Sequence, residues 1–119
     1  MINSFFLVGV GGALGSMLRY GMAIVIGARS FPFSTFTINL LGCLLIGILY
    51  GLGLRHNVSN YTWKFFGIGI CGGFTTFSAF SLEGLEFLQQ GRMILFLVYV
   101  LLSVGLGLIS TYLGYTITK

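Results

Sequence analysis

The stretch GGFTTFSAFS, Gly72–Ser81, lies inside a long apolar run where a membrane-spanning helix would ordinarily carry Leu, Ile and Val. Paired glycines followed by two β-branched threonines weaken a helix at that point. Backbone that leaves the helix at membrane depth survives only where protein, water or an ion satisfies its polar groups. Helix resumed beyond the weak point places Phe77, Phe80, Ser81 and Gly84 on one face, with Thr76 one turn before Phe80. The run is therefore read as a transmembrane helix broken part-way. A break frees carbonyl oxygens, and such carbonyls in transporters commonly hold sodium.

Around this stretch the chain is membrane sequence throughout. Of its 119 residues, 56% are hydrophobic and only 7% charged, with mean hydropathy +1.01, where a soluble domain carries about a quarter charged residues. Apolar runs cover residues 5–26, 36–54, 63–88 and 93–117, each close to the roughly 20 residues that cross about 30 Å of hydrocarbon as a helix. Nothing alternates with period two, which argues against a barrel. No basic region precedes MINSFFLVGVGG, which argues against a cleavable signal peptide. The expectation is an all-α membrane protein: a single four-helix transmembrane domain over residues 1–119, its third helix broken mid-membrane.

The connections GARSFPFST, RHNVSNYT and QQGR are short, and Pro32 falls in the first, where it harms no helix. Tyr61, Trp63, Tyr112 and Tyr115 sit near the expected membrane boundaries, as interfacial aromatics do. Cys43 and Cys71 read as small buried hydrophobes, and His56, beside Arg55, as a surface residue of a loop.

Lys and Arg on the two sides of a membrane set orientation. Arg55, Lys64 and Lys119 lie on the side of the termini, and Arg29 and Arg92 on the other. So even a balance admits two readings: loops too small to carry a signal, or insertion in both orientations with pairing to an inverted copy. Four thin helices leave a cramped path for a polar solute, which also favours a dimer. Gly11 with Gly15, Gly47 with Gly51, and Ser103 with Gly107 are pairs that let helix backbones approach closely. Sequence leaves open whether they do so within or between subunits.

A charge at membrane depth is costly and is a functional candidate by default. Arg19 shares its helix face with Ser16, Gly15, Gly12 and Gly11, a small and protein-facing stripe. A structural or electrostatic anchor and direct solute contact both remain open for it. Asn39 shares a face with Gly42, Cys43, Gly47 and Gly51. Its amide either clamps two helices or presents its NH₂ to a pathway. Glu83 and Glu86 are the only acids, placed to pair with Arg92 or to face water at a vestibule. Spans one, two and four carry no carboxylate. That disfavours the main alternative, a small multidrug-type proton-coupled exporter of cations, which needs an intramembrane carboxylate. Arginine, amide and hydroxyl donors at depth favour an anion. Phe77 and Phe80 are either core residues or pore residues, since the edge of an aromatic ring is positive and can face an anion. No nucleotide motif, metal-hydrolase spacing or nucleophile–base set appears, so neither an enzyme nor a nucleic-acid-binding protein is expected.

CGGFTTFSAFSLE strongly resembles the signature of the CrcB/Fluc fluoride channels. GGALGSMLRY in the first span and INLLGC in the second agree with it, in the right order, and the resemblance covers essentially the whole chain. It implies an antiparallel, dual-topology homodimer in the bacterial plasma (inner) membrane, with two parallel fluoride pathways. It further implies a structural sodium ion at the dimer centre, held by backbone carbonyls matched here by Gly72 and Thr75. By the same resemblance Phe77 and Phe80 match the pore phenylalanines, Asn39 the pore asparagine and Arg19 the first-span arginine. Ser81 and Glu83 fit the polar positions following the phenylalanines, and Thr76, one turn before Phe80, is placed on the same pathway. Tyr99 and Ser103 resemble a tyrosine and hydroxyl lining the pathway, with Ser110 and Thr111 as a continuation that Gly107 interrupts. The implied function is passive export of fluoride from the cytoplasm, relieving fluoride toxicity.

Overall fold

The computed structural model describes all 119 residues and is helical nearly end to end. The first span is Ile2–Ile26, the second Phe33–His56, the third Asn60–Gln89 and the fourth Met93–Thr118, each long and apolar enough to cross a membrane. The longest dimension of the molecule is 48 Å, enough for a bilayer of about 40–45 Å including its headgroups.

The connections are shorter than the sequence suggests, because turn residues join the helices. Pro32 sits at the N-cap of the second span, where its missing N–H costs nothing. Asn57 adopts the left-handed conformation (φ 56°, ψ 57°) that ends the second span, and its N–H donates to Gly53 O. Ser59 then starts the third span, its hydroxyl accepting from Thr62 N at 3.2 Å.

The third span is unlike the others. After one ordinary turn, Trp63–Cys71 forms a π-helix, and the N–H of Gly72 reaches back five residues to Gly67 O. Gly72–Phe74 is α-helical. The chain then extends at Thr75 (φ −79°, ψ 157°) and Thr76 (φ −146°, ψ 120°), and helix resumes over Phe77–Gln89. The break expected at the glycine pair thus falls on the threonines. Both glycines keep helical backbone next to it, and β-branched residues are at ease in the extended geometry the break requires.

The break also changes the helix's partner. Before it, the third span packs on the first; after it, Phe77–Gln89 leaves the first span and packs on the fourth. Glycines explain the first contact. A Cβ added to Gly69 would lie 3.0 Å from Gly11 Cα, and one added to Gly73 would lie 2.9 Å from Gly12 Cα, so backbones touch there with no side chain between. The second span lies against the fourth in the same manner, Gly47 and Gly51 facing Thr111, Tyr115 and Thr118, and Gly114 facing Leu44 and Ile48. The pairs Gly11/Gly15 and Gly47/Gly51 are therefore spent within one subunit.

Candidate functional site

The second and fourth spans and the break line an open central cavity of about 440 Å³ at mid-span. Asn39, Gly42 and Cys43 line it from the second span, and Cys71, Gly72, Thr75, Thr76, Phe77 and Phe80 from the third. Ser103 and Val104 close it from the fourth.

The extended threonines are held in place from three sides. Asn39 Nδ2 donates to Thr76 O at 3.0 Å, and Thr76 N donates to Asn39 Oδ1 at 2.8 Å. The amide is a clamp that satisfies both backbone groups of a residue outside the helical ladder. It keeps one further N–H on a side chain that lines the cavity. Thr75 turns its hydroxyl back to Cys71 O at 2.9 Å. Thr76 Oγ1 accepts from Ala79 N at 3.1 Å and caps the resumed helix, with Ser78 Oγ 3.1 Å away.

Arg19 meets the break from the first span. Its Nε donates to Gly73 O at 3.1 Å, and Ser16 Oγ lies 3.4 Å from the same oxygen. The guanidinium is half-buried and touches a carbonyl that the break deprives of its helical partner. Arg19 thus ties the first span to the third by a hydrogen bond, and it does not line the cavity.

Glu83 lies one turn beyond Phe80, at the edge of a polar vestibule, and its hydrogen-bond partners are hydroxyls and not Arg92. Thr35 Oγ1 donates to one carboxylate oxygen at 3.0 Å and Tyr99 OH to the other at 3.1 Å. Thr35, only 6% exposed, is a residue that sequence reasoning missed; its partner is 48 residues away, so no local pattern marks it. Tyr99 is fully buried, its ring 5.1 Å from Phe80. Phe80 is in turn 5.7 Å from Phe77. This line of rings and hydroxyls joins the central cavity to a second, polar one of about 470 Å³ lined by Arg29, Ser34, Glu83, Glu86, Gln90 and Arg92.

The residues singled out in the sequence divide accordingly. Asn39, Thr76, Phe77, Phe80 and Ser103 meet at the central cavity with Gly72 and Thr75. Tyr99 stands behind Phe80 with its hydroxyl on Glu83, while Ser81 is exposed and lines neither cavity. Phe77 is 78% exposed on the isolated chain, and Gly72 beside it is exposed as well. Ser103 Oγ is buried without a hydrogen-bond partner. Thr111 returns its hydroxyl to Gly107 O at 3.2 Å, so it does not extend the line from Ser103.

Sodium favours hard oxygen donors, and the backbone offers them here. Side chains take the oxygens of Cys71, Gly73 and Thr76, and none takes Gly72 O or Thr75 O. A Cβ on Gly72 would meet nothing within 4 Å, so its surroundings are open. The residues fit a cation held by carbonyls.

A family model described as "CrcB-like protein, Camphor Resistance (CrcB)" matches residues 6–115. The chain is 43% identical over 123 residues to the fluoride-specific ion channel FluC of Azobacteroides pseudotrichonymphae, covering 100% of this chain and 98% of that protein. It is 43% identical over 122 residues to the protein of that name from Flavobacterium psychrophilum, covering 99% and 98%. Against one from Thermus thermophilus the figures are 45% over 117 residues, covering 96% and 94%.

Proposed function

The chain belongs to the CrcB-like family, and from that membership and the central cavity we infer that it is a fluoride channel of a cell membrane. The observation that carries this reading is the convergence, at one break in one helix, of two phenylalanine rings, an amide donor and a buried hydroxyl without a partner. Fluoride is small and strongly hydrated. To give up its water it needs hydrogen-bond donors and positive edges close together, and ring edges supply the latter. The resumed helix begins at Phe77, so its N-terminal N–H groups and positive dipole end also favour an anion there. The route runs from the cavity at Arg29 and Arg92, past Glu83, Tyr99 and Phe80, to Phe77, Asn39 and Ser103. Conduction is passive. An interior-negative potential drives fluoride out with about 2.3 kcal/mol per charge per 100 mV.

The working unit is an antiparallel homodimer. Two features of the isolated chain support it: the near-complete exposure of Phe77 and the exposed, open side of Gly72, both at the functional break. Pairing through this face brings two copies of Gly72 and Thr75 together, and their four carbonyls would hold a sodium ion at the centre. Bound there, a sodium ion would supply positive charge between the two breaks, with Gly72 and Thr75 of each copy holding it.

The test is fluoride efflux from liposomes read with a fluoride-selective electrode, with potassium and valinomycin setting the potential and no pH gradient imposed. Rapid, potential-driven efflux is expected. Sealed liposomes would overturn the reading.

A further inference from the structure

A groove on the outside of the bundle, at the end where both termini lie, takes no part in the fluoride route. Its volume is about 290 Å³. Leu49, Tyr50, Gly53 and Leu54 line it from the last turns of the second span, and Asn60 and Trp63 from the start of the third. Two glycines shape it. A Cβ on Gly53 would meet only Val58 Cβ, at 3.8 Å, so the missing side chain leaves a gap. A Cβ on Gly67 would stand 3.2 Å from both Leu49 Cδ2 and the Trp63 ring, so these two side chains come together over it. The groove runs from depth to the membrane boundary. Leu49 lies seven residues, about 10 Å of helix, before His56, and Trp63 is an aromatic of the kind that sits at headgroup level.

Basic groups crown the outer end. Arg55 and His56 close the last turn of the second span, both exposed. Lys119 Nζ lies over the Tyr115 ring, 5.4 Å from its centre, and that ring is 5.7 Å from Tyr50. Lys64 is engaged elsewhere, donating to Ser4 Oγ at 2.8 Å. No acidic side chain answers Arg55. Glu83 bonds to Thr35, about 30 Å of helix before Arg55, and Glu86 shares the vestibule of Glu83. The C-terminal carboxylate belongs to Lys119, whose own ammonium offsets it.

We propose that this groove binds an anionic phospholipid of the surrounding membrane, with one acyl chain along Leu49, Gly53, Leu54 and Trp63 and the phosphate headgroup held by Arg55 and Lys119. Charge complementarity selects this occupant. A purely apolar partner would leave the basic rim unanswered, and a soluble anion would leave the groove unfilled. A second copy of this chain carries net charge +4, and its two acids lie in a vestibule already faced by Arg29 and Arg92. A guanidinium and an ammonium both suit a phosphate, the first as a fork and the second as a point charge. Asn60 adds amide donors to the lining. The site rests on the fold and not on the fluoride reading.

The experiment titrates the protein, in a neutral maltoside detergent, with phosphatidylglycerol or phosphatidylcholine of identical acyl chains. Native mass spectrometry reads the bound lipid, and gel filtration the oligomeric state. The wild type should retain one phosphatidylglycerol per chain and prefer it by roughly tenfold or more, since each basic residue near an anionic headgroup contributes about fivefold and two act here. Arg55→Gln should lose roughly fivefold of that preference while phosphatidylcholine binding stays unchanged. Gly53→Leu puts a side chain into the gap and should weaken both lipids by roughly tenfold or more, the loss expected when about two methylenes of an acyl chain are expelled. Leu54→Asn, at an exposed position, should weaken both lipids without adding bulk, and it decides the matter if Gly53→Leu does not fold. Excess inorganic phosphate should displace neither lipid. Equal retention of the two lipids by the wild type would overturn headgroup recognition, and displacement by phosphate would overturn the seat for the acyl chain. Unchanged phosphatidylglycerol binding in a folded groove variant would overturn the site. Loss of the dimer in Gly53→Leu, with lipid binding intact, would assign the groove to a second copy. Each outcome is read without fluoride flux, so the site is decided whether or not the chain conducts.

Discussion

Asn39 and Thr76 hold each other through two hydrogen bonds of opposite direction, amide N–H to carbonyl at 3.0 Å and backbone N–H to amide oxygen at 2.8 Å. Asn39→Asp keeps the second bond and turns the first into an opposition of two oxygens. Leaving a fully buried partner unsatisfied costs about 1–3 kcal/mol; the half-buried Thr76 carbonyl sits at the low end of that range, and a carboxylate would also repel fluoride. We expect lower thermal stability in detergent and strongly reduced efflux. A variant with wild-type stability and flux would remove Asn39 from both roles.

Phe77 and Phe80 separate pore from packing more cleanly than their spacing suggested. Phe77 is 78% exposed on the isolated chain, so Phe77→Ile should leave the chain's own stability nearly unchanged while greatly reducing efflux. Phe80 packs on Tyr99, and Phe80→Ile should lose about 0.5–1.5 kcal/mol of aromatic contact as well as flux. Normal efflux from a well-folded Phe77→Ile protein would return the rings to a space-filling role.

Arg19→Lys retains the charge and loses the Nε–H that reaches Gly73 O. Expected results are a lower melting temperature and slower efflux, with preference for fluoride over chloride unchanged. Chloride entry into the variant's liposomes would mean that the arginine reads the anion itself.

Adjacent glycines at the break should respond oppositely to alanine. Gly73→Ala drives a methyl group into the backbone of Gly12 and should abolish folding. Gly72 has ordinary helical dihedrals (φ −63°, ψ −40°) and open space where its Cβ would go. Gly72→Ala should therefore fold, yet shift gel-filtration profiles from dimer towards monomer. Exchange of sodium for a bulky organic cation should do the same to the wild type. Dimers indifferent to both changes would rule out a central cation.

Lys119→Cys, in a background lacking Cys43 and Cys71, reports orientation. With Arg55, Lys64 and Lys119 balanced against Arg29 and Arg92, an impermeant thiol reagent should label it from both faces of the membrane. Labelling from one face alone would show a single topology.

Much of this architecture was legible in the chain, for reasons that differ by residue. The four apolar runs mark four spans because bilayer thickness fixes the length of each. Their ends were less clear. Pro32 and Asn57 cap helices through backbone geometry, which polar composition does not reveal. The GGFTT stretch announced a break, yet its site moved to Thr75 and Thr76, because both glycines keep helical backbone and Gly73 serves close packing against the first span. The partners of Glu83 were hidden, since Thr35 is far away in sequence and is an ordinary residue in its own run. Trp63–Cys71 gave no sign of π-helix, a state defined by hydrogen-bond partners and not by residue type.

That π-helix gives the third span a residue to spare before the break. With Gly72 N–H bonded five residues back, the segment holds more chain per turn than an α-helix. Removing one residue between Trp63 and Cys71 would let it rewind as α-helix, the surplus residue given up with little change in how its two ends face. The α-helix Phe77–Gln89 has no such reserve: each residue lost there rotates one end against the other by about 100°. Single-residue deletions accepted during descent should therefore gather in the nine residues of the π-helix and avoid the helix beyond the break.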